Sequence, residues 1–169
     1  EIDLNDISLI GHSRGGGIVL LKSKEDLRVK KVITLAGVSD YKSRFPKNEK
    51  FEKWKEKQVY FVKNGRTHQK MPHFFQFYED FEKNKNRLDI EKATQNLQIP
   101  QLIIHGNNDT SVSIKEAENL HKWNPKSEFK NIKNADHVFN IFHPWKEKTI
   151  SKELGEVINS ATIFLNKCS

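Results

Sequence analysis

The chain has 169 residues, 36% of them hydrophobic, and a formal net charge of +7, which suits one globular domain with a modest core and excludes collagenous and disordered classes. No run approaches the ~18 apolar residues of a membrane span and no charged-then-apolar leader precedes the first strand candidate, so the sequence reads as soluble and off the membrane. Its lysines are spread through mixed-charge stretches such as KNEKFEKWKEK, which read as solvated faces and argue against a nucleic-acid surface.

Residues 7–10, ISLI, are a short β-branched and aliphatic run that meets Gly11, the pattern of a fully buried strand. After the glycines, IVLLKSKE supplies helix formers up to Asp26, and VKKVITLAG is a second buried strand stopped by Gly37, completing one βαβ unit. A long interval, residues 42–97, then exceeds the usual connection between a helix and a strand and is expected to form a cap or lid insertion with structure of its own. Within it, Asn64-Gly65 at the centre of VYFVKNGRTHQK predicts a hairpin with a two-residue type I′ turn. MPHFFQFYEDFEKN predicts a helix with Pro72 in its first turn and with Phe74, Phe77, Tyr78 and Phe81 on one face.

From Pro100, PQLIIHG is a third buried strand, followed by a helix announced by a capping box, Ser113 with Glu116. SEFKNI is a fourth strand. The terminal SKELGEVINSATIFLNK places Leu154, Val157, Ile158, Ala161 and Leu165 on one helical face. The alternation predicts a single α/β domain over 1–169, built on a parallel sheet of about four strands, with the insertion within it. The lone Cys168 has no internal partner, which fits a reducing, cytoplasmic setting.

The chemistry gathers at GHSRGG. A G-x-S-x-G pattern alone arises by chance in roughly one chain in twenty of this length, but here it lies between a strand and a helix, the setting of a nucleophile elbow. Bulky neighbours at Gly11 and Gly15 would clash as the chain reverses around Ser13, and Gly16 and Gly17 would let the helix approach the sheet. The backbone N–H of Arg14, at the helix N-terminus, is the natural first donor to an oxyanion. A serine needs a base and the base needs a carboxylate. Asp109 follows the third strand and His137 the fourth, giving the order Ser, Asp, His at successive strand ends. Ser13 as a mere turn residue is the alternative; Asp40 after the second strand is a rival acid, and His143 before Pro144 a rival base. His12 either lines a pocket or packs under the cap, and His105 closes a strand end. Phe74, Phe77 and Tyr78 are pocket candidates, although an aromatic stripe at helical spacing is more often core, here the insertion's own.

With GHSRGG, IPQLIIHGNNDTSV and NADHVF in this order, the chain resembles the C-terminal two-thirds of an α/β-hydrolase, near the dienelactone-hydrolase-like and prolyl-oligopeptidase-like branch. The resemblance spans nearly the whole sequence. It implies Ser13 as nucleophile, Asp109 as acid, His137 as base and Arg14 as an oxyanion-hole residue, in a serine hydrolase of small ester or acyl substrates, with short peptides second. Hydrolases of this kind carry four further strands before the elbow, and the second oxyanion donor follows the third of them. The chain, opening at Glu1 rather than Met, is therefore expected to be a fragment with an exposed elbow strand and little activity alone. A non-catalytic truncated product, a basic binding module and an acyltransferase are the other functions compatible with these residues. No metal or nucleotide cofactor is expected, since the seven histidines show no ligand spacing and the glycine motif lacks both P-loop and dinucleotide patterns. An uncovered elbow strand would promote association of the fragment.

Overall fold

A computed structural model describes residues 3–64 and 67–167. Cys168 therefore lies outside the described residues. The chain divides into two compact units, Glu1–Asp40 with Ile90–Ser169, and Tyr41–Asp89.

The first unit is built on four parallel strands, β1 (Ile7–His12), β2 (Val29–Leu35), β5 (Gln101–Gly106) and β6 (Glu128–Ile132), in the order β1-β2-β5-β6. Helices α1 (Arg14–Glu25), α4 (Ile90–Gln95), α5 (Ile114–Trp123) and α6 (Lys152–Leu165) pack around it. Every residue of β5 is buried, as a central strand covered on both faces requires. The expected burial of ISLI is not found: β1 is an edge strand of this sheet, Ile10 is 50% exposed, and burial along the strand alternates because only one edge and part of the faces are covered. Ile33, Leu102, Ile104 and Ile132 form a core with Val157 and Phe164 of α6. The buried face of α6 thus runs through Leu154, Val157, Ala161, Phe164 and Leu165; Ile158, expected on it, is 49% exposed because the stripe follows three- and four-residue steps from Leu154 to Phe164.

Buried Lys31 in β2 donates from Nζ to the carbonyls of Leu165 and Lys167, at 2.7 and 2.6 Å, and so caps the C-terminal end of α6. Ser113 caps α5, its hydroxyl accepting from the Lys115 N–H. The Glu116 carboxylate accepts from both the N–H and the hydroxyl of Ser39, each at 2.6 Å, which ties α5 to the chain leaving β2.

The second unit has its own aromatic core. It contains α2 (Glu49–Lys57), the antiparallel pair β3 (Val59–Lys63) and β4 (Lys70–Phe74), and α3 (Gln76–Asn84). Phe45, Trp54, Phe75 and Phe81 are buried together, with Tyr41, Phe51, Tyr60 and Tyr78 packed around them. The Trp54 indole N–H donates to the His73 carbonyl at 2.8 Å, which satisfies the one polar atom of a ring that is 1% exposed.

Two details differ from expectation. The hairpin forms, but a two-residue turn would pair Lys63 with Arg66, whereas Lys63 pairs with Lys70. The connection is residues 64–69, organised by the Asn64 side chain accepting from the Thr67 N–H; Gly65 and Arg66 lie outside the described residues. Pro72 is in β4 opposite Phe61, not in a helix, and a two-stranded ribbon accepts it because one side of each strand needs no ladder donor. Strand alternation then turns Phe74 outward, 60% exposed, and α3 begins only after buried Phe75.

Candidate active site

Ser13 lies between β1 and α1 with φ 57° and ψ −122°, a region that costs a non-glycine residue roughly 1–3 kcal/mol. Backbone bonds on both sides hold it there. Its N–H donates to the Leu35 carbonyl at 2.9 Å, and its own carbonyl accepts from the N–H groups of Gly16 and Val38, at 3.0 and 3.2 Å. A side chain at Gly11 would overlap the Gly15 carbonyl, and one at Gly16 would stand 2.7 Å from the Gly37 Cα, so these two glycines permit the turn and the close approach. Gly15 departs from expectation: a Cβ there meets open space, because the reversal turns this residue's side-chain direction away from the sheet.

The loops that follow β5 and β6 are joined to one another. Asn107 donates its N–H to the Ile132 carbonyl, its side-chain oxygen accepts from the Asn134 N–H at 2.6 Å, and the Asn108 N–H donates to the Ala135 carbonyl. Asp109 and His137 sit on these loops. Oδ1 of Asp109 accepts from the N–H groups of Ser111 and Val112, each at 2.8 Å, while Oδ2 accepts from Nδ1 of His137 at 2.8 Å. Nε2 of His137 lies 3.0 Å from the Ser13 hydroxyl. With a carboxylate at Nδ1, the neutral ring carries its proton there and presents a lone pair to the serine. The Asp109 side chain is fully buried and that of His137 is 21% exposed, so the carboxylate is shielded from water and the imidazole is reachable.

Structure thus brings together Ser13, Asp109 and His137, with Arg14 as the first residue of α1 beside them. No acidic residue occupies the first turn of α1, leaving the positive end of the helix dipole uncompensated there. Asp40 is exposed, and the carboxylate against His137 is that of Asp109; His143 is exposed between β6 and α6. Phe74, Phe77 and Tyr78 belong to the second unit, where Phe77 is 46% exposed and Tyr78 packs on the aromatic core. Among the described residues no group of three His, Cys, Asp or Glu side chains is arranged to hold a metal ion, and no helix is long and apolar enough to cross a membrane.

Two histidines have contacts that sequence reasoning missed. Nε2 of His12 donates to the His137 backbone carbonyl at 2.8 Å, and the two rings lie 4.7 Å apart. His105, fully buried, has Nε2 2.8 Å from the Val112 carbonyl and 3.3 Å from Oδ2 of Asp109, while its Nδ1 finds no hydrogen-bond partner among the described residues. An unpaired buried nitrogen costs about 1–3 kcal/mol. Burial lowers the His105 pKa below its ordinary value and keeps the ring neutral, outweighing the opposite effects of the Val112 carbonyl and the Asp109 charge. The only sequence signal was the four-residue spacing of His105 and Asp109 across a strand end, which has no fixed meaning outside a helix.

No family model and no curated protein matches the chain. Solved structures do. Alpha/beta hydrolase domain-containing protein 10 from mouse is 18% identical, with a TM-score of 0.71 over 96% of this chain and 62% of that one. The esterase domain of a Rhodothermus marinus protein is 23% identical, with a TM-score of 0.55 over 79% of this chain and 53% of that one. Est1E from Butyrivibrio proteoclasticus, solved with ferulic acid bound, is 18% identical, with a TM-score of 0.67 over 95% of this chain and 58% of that one. The chain therefore spans between 53% and 62% of these three.

Proposed function

We propose that this chain, whose fold is that of the α/β-hydrolases, carries the catalytic triad of a serine hydrolase. The observation that carries the reading is the unbroken line from the Ser13 hydroxyl through His137 to the buried Asp109 carboxylate, at 3.0 and 2.8 Å, starting from a serine with positive φ at a helix N-terminus. Such strain, held by three backbone hydrogen bonds, is hard to explain for a plain turn residue.

In this mechanism His137 takes the Ser13 proton as Oγ attacks the substrate carbonyl, and Asp109 holds the imidazole and stabilises the imidazolium. The Arg14 N–H binds the developing oxyanion, His137 returns the proton to the leaving group, and water then releases the acid from Ser13. Small carboxyl esters or acyl compounds are the proposed substrates and short peptides the second class; the ferulic acid held by Est1E is consistent with a small carboxylic acid product. Selectivity is proposed to depend on the second unit, with half-exposed Phe77 as the first residue to test.

The chain is read as part of a longer enzyme, on the share of its neighbours that it spans and on the open edge of β1 with its exposed Ile10. A second oxyanion donor would then come from the remainder, and its loss costs roughly 10²–10³ in kcat. Labelling with a fluorophosphonate probe tests the function: this chain, an N-terminally extended form, and Ser13→Ala in each. Labelling of the extended form that vanishes with Ser13→Ala supports a nucleophile; none in a folded extended form returns Ser13 to the role of turn residue. Strong labelling of the short chain would overturn the reading that it lacks a working site.

A further inference from the structure

We propose that His105 is a positioning residue for the Asp109–His137 pair, which fixes the acid's rotamer and sets how strongly it favours the protonated base. The inference rests on the serine-hydrolase reading for its catalytic meaning, but its geometry stands alone.

Both groups that Nε2 of His105 faces are acceptors, the Val112 carbonyl at 2.8 Å and Oδ2 of Asp109 at 3.3 Å, so Nε2 carries the proton. Through Val112 that N–H holds the turn whose amides, Ser111 and Val112, grip Oδ1 of the same carboxylate. The same ring edge lies 3.3 Å from Oδ2, the oxygen that His137 also uses, as a close polar contact. One buried ring therefore holds the loop by a hydrogen bond and packs against the acid that the loop carries. The side chain is 0% exposed and leaves its other nitrogen without a partner among the described residues, and a leucine would fill such a site without that cost. Retaining an imidazole there is explained by what Nε2 does.

The charged and titratable groups around the pair are few. Ser13 and the ring of His12 face His137 from the start of α1 and the end of β1, and the Asp136 carboxylate beside it accepts from the N–H groups of Val138 and Asn140. Around His105 they are Asp109, His137 and, from α5, Glu116. The positive end of that N–H, 3.3 Å from Oδ2, offsets part of the carboxylate charge, so removing it increases the attraction of Asp109 for an imidazolium.

The test is an NMR pH titration of the His137 ring in the wild-type chain, His105→Leu and His105→Gln, with folding checked by circular dichroism. Leu is expected to raise the midpoint by ~0.5 pH unit or more, and Gln, whose amide N–H can reach the position of Nε2, to restore it. If Leu does not fold, His105→Asn, whose shorter amide leaves that position empty, takes its place with the same expected rise. An unchanged midpoint in the folded donor-lacking variant overturns the inference, as does a rise that Gln fails to reverse. Fluorophosphonate labelling of the extended wild type separates the two readings: labelling without a midpoint shift removes only the role of His105, and a shift without labelling removes only the hydrolase.

Discussion

Gly11 and Gly15 face each other across the turn that carries Ser13: a side chain on Gly11 would run into the Gly15 carbonyl, whereas one on Gly15 would meet nothing within 4 Å. The two glycines of one motif therefore have different physical duties. Gly11→Ala forces backbone apart and is expected to cost about 3 kcal/mol, enough to lower the melting temperature of a chain this size by roughly 6–12 °C. Gly15→Ala, inside α1 and with no positive φ to accommodate, is expected to stabilise by about 0.5–1 kcal/mol. Thermal melts of both variants decide it; equal losses would refute the assignment.

The acid is tested by a pair of substitutions. On the proposed triad, Asp109→Asn removes the charge that holds the His137 tautomer and is expected to lower kcat by ~10⁴ with KM little changed, in whichever form shows hydrolase activity. Asp40→Asn, at an exposed position after β2, should leave kcat within about twofold, as surface changes commonly do. A large loss with Asp40→Asn and none with Asp109→Asn would transfer the role.

These expectations show what the sequence could carry. The order Ser13, Asp109, His137 was legible because each residue follows a strand of β-branched and aliphatic residues, and parallel strands bring their C-terminal ends to one edge. The helix face of α6 was legible except at Ile158 and Phe164, where a three-residue step and a four-residue step are equally compatible with the pattern. Pro72 and Phe74 were misplaced for a related reason, since FFQFY supplies aromatics to either period and the strand pairing with Val59–Lys63 decides between them. Contacts of His12, His105 and Asn107 were invisible, as each joins segments whose proximity depends on loop geometry.

Asp26, at the C-terminal end of α1, is held well below the usual carboxylate range by hydrogen bonds from the Arg28 guanidinium and then from Lys22. Because its folded pKa is depressed, the unfolded chain binds the proton first. The stability it contributes is present above the ordinary carboxylate pKa of about 4 and is lost as pH falls below it toward the folded value. Denaturant melts between pH 6 and pH 2 should show a shallower acid decline for Asp26→Asn than for the wild type; identical slopes would mean that the pair is too solvent-screened to contribute.

His105 predicts a second acid loss at higher pH. Its folded pKa is lowered by burial, so between the unfolded value near 6.5 and the folded value the unfolded chain carries a proton that the folded chain refuses. Stability is complete above about pH 6.5 and declines as pH falls below it, by at most about 1.4 kcal/mol per pH unit for one proton. Glutamine has no such titration. His105→Gln is therefore expected to flatten the stability curve between pH 7 and pH 5, while the decline below pH 4 from carboxylates such as Asp26 persists. Urea melts at half-unit intervals distinguish the two declines, and a His105→Gln curve parallel to the wild type between pH 7 and pH 5 would show that His105 accepts its proton in the folded chain as readily as in the unfolded one.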